Sequence, residues 1–196
     1  MTSATLTARP RVLADAFVSS SAITNTALVV GGTALTAVLA QVSIPIWPVP
    51  ITGQTLAVLL VGSTLGPVRG ALSMVLYWTA GVAGAPIFSE ASSGLSTAMG
   101  PSGGYIVGFI AAAYLVGKLS QRSWDRKFVG AALAFLAGTI VTFAIGMVWL
   151  AVSLGASLQQ TLEWGLYPFI IGGIIKAGIA AAVIPTLWRI APKLQK

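Results

Sequence analysis

Residues Phe128–Leu154 read FVGAALAFLAGTIVTFAIGMVWLAVSL, a run of 27 residues without a charged side chain. A helix needs about 20 largely apolar residues to cross the ~30 Å hydrocarbon core of a bilayer, so this run predicts a transmembrane helix. The whole chain of 196 residues has the same character, because 56% of its residues are hydrophobic and 8% are charged. Soluble domains carry roughly 25% charged residues. The composition therefore predicts an integral membrane protein.

Outward from this run, other apolar segments have the composition of membrane spans. Two of these segments, residues 51–65 and 105–117, are short for a full crossing at ~1.5 Å per residue. The first segment, residues 27–46, is longer than the ~7–15-residue core of a secretory signal. We therefore expect the first to be retained. The predicted fold class is all-α and polytopic, with six spans over residues 27–46, 51–65, 68–84, 105–117, 128–154 and 168–190.

Basic residues cluster on one side of these spans. The outer loops, residues 45–50, 85–101 and 155–167, contain no lysine or arginine. The positive-inside rule then favours six crossings with both termini cytoplasmic, and predicts a cytoplasmic segment 1–25, one membrane domain 26–192 and a cytoplasmic tail 193–196. Basic residues at span ends do not form the single face of a nucleic-acid binder, so we expect no nucleic-acid partner. The cytoplasmic set is Arg9, Arg11, Arg69, Lys118, Arg122, Arg126, Lys127, Arg189, Lys193 and Lys196.

Missing residue types narrow the chemistry. The chain has no cysteine, no histidine and four carboxylates, which leaves little material for a nucleophile, a general base or a metal site. It also lacks the G-x-x-x-x-G-K-[ST] phosphate loop. We expect no enzymatic activity and no cofactor, and energy for any active transport would come from a partner.

Lys176 lies about eight residues into the last predicted span, roughly 12 Å deep. A lysine near mid-membrane costs ~2.5–3.5 kcal/mol on insertion scales and normally faces a cavity or a partner. Two interpretations remain open. The amine either snorkels to the interface or binds an anionic solute that enters from outside.

Other polar residues lie near the same outer level, at Thr52, Gln54, Tyr77 and Tyr105. Aromatic residues there can be interfacial anchors, whereas a glutamine amide in lipid needs partners for both ends. The proline-rich loop 45–50 is stiff because proline fixes φ. The polar loop 88–104 is either a cover over a site or a solvated connector.

Three stretches carry a family resemblance: ALTAVLAQVSIPIWPVPITGQTLAVLLVGSTLG at 34–66, GPVRGALSMVLYWTAGVAGAPIF at 66–88 and GPSGGYIVGFIAAAYLVG at 100–117. They resemble the biotin transporter family called BioY, and the match covers most of the chain from about residue 30 onward. PVPITGQT followed by GPSGGY is specific, since neither string is a generic membrane pattern.

This resemblance implies an S component of an energy-coupling factor (ECF) transporter in the bacterial cell membrane. Such a protein has six helices and binds biotin, its transported substrate, from outside. It then associates with a transmembrane coupling protein and two cytoplasmic ABC-type ATPases. The resemblance also allows a member that works without a dedicated coupling module.

Site residues follow from the resemblance in part. PFIIGGIIKAG at 168–178 looks like the ligand-binding helix of the family, with Lys176 as its lysine and Gly173 at a commonly acidic position. The implied biotin pocket uses Gln54, Tyr105 and Lys176 for polar contacts, with Trp47 and the loop 88–104 as the cover. The full candidate set is Lys176, Gln54, Thr52, Tyr105, Tyr77, Trp47, Phe88, Ser93 and Gly173.

S components of this type contact the coupling protein through small residues of the first helix. Candidates are Ala27 with Gly31, and Gly32 with Thr36 and Ala40, because four-residue spacing lets backbones approach closely. Packing within the same bundle is the alternative use of these residues. The alternative functions are an S component for another vitamin and a small structural membrane protein without a solute.

Overall fold

The computed structural model describes residues 12–191. The termini of the chain, including Arg9, Arg11, Lys193, Lys196 and the predicted tail 193–196, lie outside the described residues. Helices dominate this part of the protein, which confirms the all-α class, and a short antiparallel hairpin joins the first two helices. The helices are α1 Ala22–Ala40, α2 Gln54–Leu65, α3 Pro67–Val82, α4 Gly94–Met99, α5 Gly103–Gln121, α6 Phe128–Leu154, α7 Leu158–Gly165 and α8 Ile170–Ile190, and the strands are β1 Ser43–Ile44 and β2 Ile51–Thr52.

Within residues 12–191, four segments are long and apolar enough to cross a membrane: Ala22–Ala40, Gly103–Gln121, Phe128–Leu154 and the stretch Leu158–Ile190 that holds α7 and α8. The predicted span 105–117 thus belongs to a longer helix, Gly103–Gln121, than the sequence indicated. α2 has 12 residues and α3 has 16, fewer than the ~20 of a full crossing. A polytopic helical protein is confirmed, while the count of six spans and the side of the termini stay predictions.

Local signals set the helix ends. α6 begins and ends where predicted, because Gly155 takes a left-handed φ of 61° and stops the helix. α1 begins earlier than predicted, at Ala22, because Ser21 caps it by accepting a hydrogen bond from the Thr24 amide. Part of the predicted N-terminal segment 1–25 is therefore helical. The end of the predicted first span instead forms β1, which pairs with β2.

The bundle is built around α5, which packs on α2, α3 and α6, while α8 packs on α2 and α6. Small residues permit the close approaches: a Cβ at Gly62 of α2 would lie 2.7 Å from the backbone oxygen of Ala113 in α5. Large apolar side chains such as Val30, Ile140 and Val152 are exposed on the outside. A water-facing surface rarely carries so many, so this surface fits lipid.

The small residues of α1 divide into two groups. Gly32, Thr36 and Ala40 are buried within the bundle, and a Cβ added at Gly32 would overlap α3. The expectation that these three contact a partner is corrected: they pack α1 on its neighbours. Ala27 and Gly31 are exposed, and their role as a partner contact stays a prediction.

The loop 88–104 is more ordered than its polar composition indicated. It contains a 3-10 turn and the short helix α4. Gln41 at the end of α1 donates to the Phe88 carbonyl at 3.0 Å and accepts from the Ala91 amide at 2.9 Å. Trp149 of α6 donates its indole N–H to the Gly100 carbonyl at 3.0 Å. These contacts hold both ends of the loop against the bundle.

A buried carboxylate, Asp125, connects several helices at the end of the bundle where α5 and α8 end. We name this residue and its contacts the Asp125 cluster (Ser63, Ser120, Asp125, Arg126 and Trp188). Asp125 is fully buried. Its Oδ2 accepts from the Trp188 indole at 2.9 Å and from the Ser63 hydroxyl at 3.2 Å, and Ser120 donates to Ser63 at 2.9 Å. The cluster therefore ties α2, α5 and α8 to the loop before α6.

Arg126 completes the cluster. Its Nε lies 3.6 Å from Asp125 Oδ1, and its guanidinium carbon lies 3.2 Å from the centre of the Trp188 ring. Burial raises the pKa of Asp125, and hydrogen bonds from Trp188 and Ser63 together with the charge of Arg126 oppose that rise. Desolvation lowers the pKa of Arg126, and Asp125 opposes that change.

Candidate functional site

A cavity opens among α2, α5, α6, α8 and the two loops that precede α2 and α5. Its enclosed free volume is about 50 Å³, below the ~300–1,000 Å³ range of small-molecule sites, so a ligand of that size needs the walls to move apart. Its walls combine aromatic and aliphatic side chains with a few polar groups. The lining residues are Val49, Pro50, Thr52, Gln54, Thr55, Phe88, Ser89, Thr97, Ser102, Tyr105, Ile106, Phe109, Phe143, Phe169, Gly173 and Lys176.

Lys176 reaches this cavity from α8. Its ammonium donates to the Thr52 carbonyl at the end of β2, at 2.5 Å, and to the Thr55 hydroxyl in the first turn of α2, at 3.1 Å. The amine therefore crosses between two helices at the cavity wall. Lysine has three N–H donors, so these two bonds leave one for a ligand.

Gln54 begins a hydrogen-bonded chain beside the lysine. Its carbonyl accepts from the Thr52 hydroxyl at 2.7 Å, and its amide donates to the Tyr77 hydroxyl at 2.5 Å. Tyr77 in turn donates to the Ile87 carbonyl at 2.8 Å. Both ends of the glutamine amide are thus satisfied, as its burial in an apolar setting requires. The chain fixes the start of α2 relative to α3 and to the loop that carries Phe88.

Aromatic rings form the apolar part of the cavity. Tyr105 lies 5.7 Å from Phe143 and 6.3 Å from Phe169, measured between ring centroids. The Tyr105 hydroxyl donates to the Gly165 carbonyl at 2.9 Å. Its donor is therefore used within the protein, so Tyr105 offers a ligand its ring and, through the hydroxyl oxygen, an acceptor.

The structure brings most of the predicted site residues together. Thr52, Gln54, Phe88, Tyr105, Gly173 and Lys176 line the cavity. The other three do not. Tyr77 stands behind Gln54, Ser93 bonds Thr97 through its carbonyl, and Trp47 is 71% exposed with its ring 5.1 Å from Trp164 of α7. These three are therefore outside the cavity wall, and their role in binding a solute stays a prediction.

Sequence reasoning missed several lining residues. Thr55 lies one position after Gln54, so the start of α2 already indicated it. Phe169 lies in the segment 168–178 that resembles a ligand-binding helix but was not singled out there, and Phe143 gave no signal, because an aromatic residue in an apolar span looks the same whether it faces lipid or a cavity. Thr97 lies in the loop 88–104, which was predicted as a cover without this residue being singled out.

The wall between the cavity and the lipid-facing surface is thin. Phe143, Phe169 and Gly173 also line a groove on the outside of α6 and α8, together with apolar residues such as Ile140 and Ile174. A Cβ at Gly173 would have only an ordinary contact, 3.7 Å from the Thr139 methyl group. The same three residues thus face the cavity on one side and the hydrocarbon side on the other.

The chemistry of the cavity identifies the class of protein. One cation, a few fixed polar groups and aromatic walls suit a small molecule with an anionic group and an apolar body, and the surrounding helices place that site in a membrane protein. The chain belongs to the BioY family, whose family model matches residues 10–193.

Relatives and a solved structure agree with this membership. A protein of Pyrococcus horikoshii named probable biotin transporter BioY is 38% identical over 154 residues, which cover 79% of this chain and 90% of that protein. The biotin transporter BioY of Thermotoga maritima is 32% identical and covers 77% of this chain and 88% of its own. A crystal structure of the S-component for biotin from an ECF-type ABC transporter matches with a TM-score of 0.78 at 25% identity, covering 87% of this chain and 95% of that chain.

Proposed function

We propose that this protein binds biotin in the cavity as the substrate-binding component of a biotin uptake system. The observation that carries the proposal is Lys176, whose ammonium is the one charged group among the described residues that line the cavity. Biotin has a carboxylate for the cation, and an alkyl chain and bicyclic ring for the apolar walls. The relatives named as biotin transporters support the same ligand.

Each group in the cavity has a role in this proposal. Lys176 binds the carboxylate with the N–H that Thr52 and Thr55 leave unused. Gln54 gives a second polar contact, held in place by Tyr77. Burial of the alkyl chain and ring against the aromatic walls supplies affinity at ~25 cal/mol per Å². Phe88 and Thr97, from the loop 88–104, close the cavity from the outer side.

Thermal stabilisation by biotin tests the proposal. Biotin at 100 times its dissociation constant should add ~2.7 kcal/mol to the stability of the detergent-solubilised protein, and the apparent Tm should rise accordingly. Biotin methyl ester, which lacks the anion, is the matched ligand and should need a much higher concentration. If another vitamin gives the shift and biotin does not, the substrate is different. If no vitamin stabilises the protein, it has no solute of this class.

We also propose the transport arrangement that the resemblance implies. The protein is a transporter component rather than a catalytic enzyme, and energy comes from a coupling protein and two cytoplasmic ABC-type ATPases. It lies in the bacterial cell membrane with six spans and both ends cytoplasmic, a topology supported by the one-sided charge pattern. Because the chain has no native cysteine, single cysteines at Arg122 and Ser89 can be labelled from opposite sides. Labelling of both from one side would contradict this topology.

The exposed face of α1 is the proposed contact with the coupling protein. A Cβ added at Gly31 meets nothing within 4 Å, so Gly31→Trp should fold and bind biotin but lose co-purification with the coupling protein. Gly178→Trp is the matched control, because a Cβ there also meets nothing within 4 Å and Gly178 lies on α8. Equal co-purification of both variants with the coupling protein would remove α1 as the contact.

A further inference from the structure

A second concave site lies at the other end of the bundle, between the start of α6 and the last turns of α8. We name it the basic groove, and its lining residues are Arg126, Lys127, Phe128, Ala181, Ala182, Pro185, Thr186 and Arg189. Nothing in the proposed biotin function uses these residues. Three of them are cations, and none of these described lining residues is acidic.

One face of α8 supplies half of the groove. Ala182, Pro185, Thr186 and Arg189 follow the three- and four-residue spacing that puts helix side chains on one side. Apolar and small residues therefore come first along this face, and the cation follows at the helix end. Ala182 and Arg189 are both exposed.

The start of α6 supplies the other half, with the cation first along the chain and the apolar residue after it. Lys127 precedes the helix and Phe128 is its first residue, with Phe128 57% exposed. Cations thus lie at the level where both helices end, and apolar surface lies on the bundle side of that level. This sequence of chemistry matches a lipid, whose charged headgroup adjoins its acyl chains.

Arg126 is a pre-positioned member of the groove. Its guanidinium is stacked on Trp188 and its Nε lies beside Asp125, so less side-chain freedom is lost when it meets an anion. Asp125 offsets one of the three positive charges from behind the groove, and the net charge of the region remains positive.

We propose that the basic groove binds the phosphate headgroup of an anionic phospholipid, with an acyl chain against Phe128 and Ala182. Basic pockets between membrane helices on the cytoplasmic side bind such headgroups. The headgroup lies near Lys127 and Arg189, and the proposal depends on the predicted orientation only for the leaflet in which the lipid resides.

Native mass spectrometry of the full chain in mild detergent tests this site. The probe is phosphatidylglycerol, and phosphatidylcholine is the zwitterionic comparison. The Lys127→Gln/Arg189→Gln double variant should bind phosphatidylglycerol about 30-fold more weakly than wild type, given the contribution of each basic residue near an anionic surface. Lys118→Gln/Arg122→Gln removes the same charge outside the groove and should retain the lipid.

Several outcomes would overturn the site. Equal loss of phosphatidylglycerol in the two double variants would mean general attraction to a basic surface. If the wild-type protein retains phosphatidylcholine as well as phosphatidylglycerol, the groove does not recognise an anion. Displacement of the lipid by inorganic phosphate at the same concentration would mean a phosphate site without a lipid requirement. Ala182→Phe fills the groove and keeps every charge; it should also lose the lipid, and unchanged binding in this variant contradicts the acyl contact.

Biotin binding measured on the same samples separates the two proposals. Wild type that retains phosphatidylglycerol and does not bind biotin contradicts the proposed function and supports the groove. Groove variants that bind biotin normally and lose the lipid show that the protein is folded and that the two sites are independent.

Discussion

Lys176→Met should weaken biotin binding by at least ~30-fold, because truncating one partner of a buried, hydrogen-bonded charge pair costs about 2 kcal/mol or more. The ammonium is the cation at the cavity wall, and in the described part of the chain no other lysine or arginine lines this cavity. Methionine keeps the length and apolar body of the side chain. Equilibrium binding of labelled biotin to the purified variant measures the loss.

The variant should remain folded. A lysine within a span costs ~2.5–3.5 kcal/mol on insertion scales, and methionine does not incur this cost, although the Thr52 carbonyl loses its donor. Lys118→Met is the matched control, since Lys118 is exposed at the end of α5. Biotin methyl ester completes the comparison: it should bind wild type and Lys176→Met with similar affinity. Wild-type affinity for biotin in Lys176→Met would remove this residue from the site.

Asp125→Ala should lower the stability of the protein by ~3 kcal/mol, because two donors lose the buried carboxylate that accepts from them and each unsatisfied group costs ~1–3 kcal/mol. The change leaves the Trp188 indole and the Ser63 hydroxyl without their Oδ2 acceptor, and it removes the carboxylate that lies 3.6 Å from Arg126 Nε. For a chain of this size the apparent Tm should fall by ~6–12 °C. Asp125→Asn keeps the shape and one acceptor oxygen, so its loss should be smaller.

A surface ion pair gives the control for Asp125. Asp15 bonds Arg69 at 2.6 Å, and their side chains are 32% and 15% exposed. Such partly exposed pairs contribute ~0–1 kcal/mol, so Asp15→Ala should change the apparent Tm by far less. If Asp125→Ala and Asp15→Ala lower the apparent Tm by the same amount, the Asp125 cluster does not stabilise the helix packing more than a surface ion pair does.

Much of the fold could be predicted because lipid imposes a strong composition on the chain. Residues Phe128–Leu154 were bounded correctly, since Lys127 precedes the helix and Gly155 ends it. The first span was displaced because the apolar residues after Gln41 are as compatible with β1 as with a helix. The start of α1 depends on a serine cap, and a single serine changes the mean hydropathy of a segment very little.

The site was predictable where one residue carried the signal. Lys176 stood out because its charge is costly in a span, and the motif PVPITGQT pointed to Thr52 and Gln54. Its bonds to Thr52 and Thr55 depend on how α8 packs on α2, which local sequence does not specify. The Asp125 cluster was invisible for the same reason: Ser63, Asp125 and Trp188 are far apart in the chain and meet only after the helices assemble.

Phe143, Phe169 and Gly173 line the cavity proposed for biotin on one side and the groove on the outside of α6 and α8 on the other. Lipid or detergent on that outer side would therefore lie one side chain away from the proposed biotin site. Lipid acyl chains and detergent chains pack differently against these aromatic rings. We therefore expect the affinity for biotin to differ between a detergent micelle and a lipid vesicle.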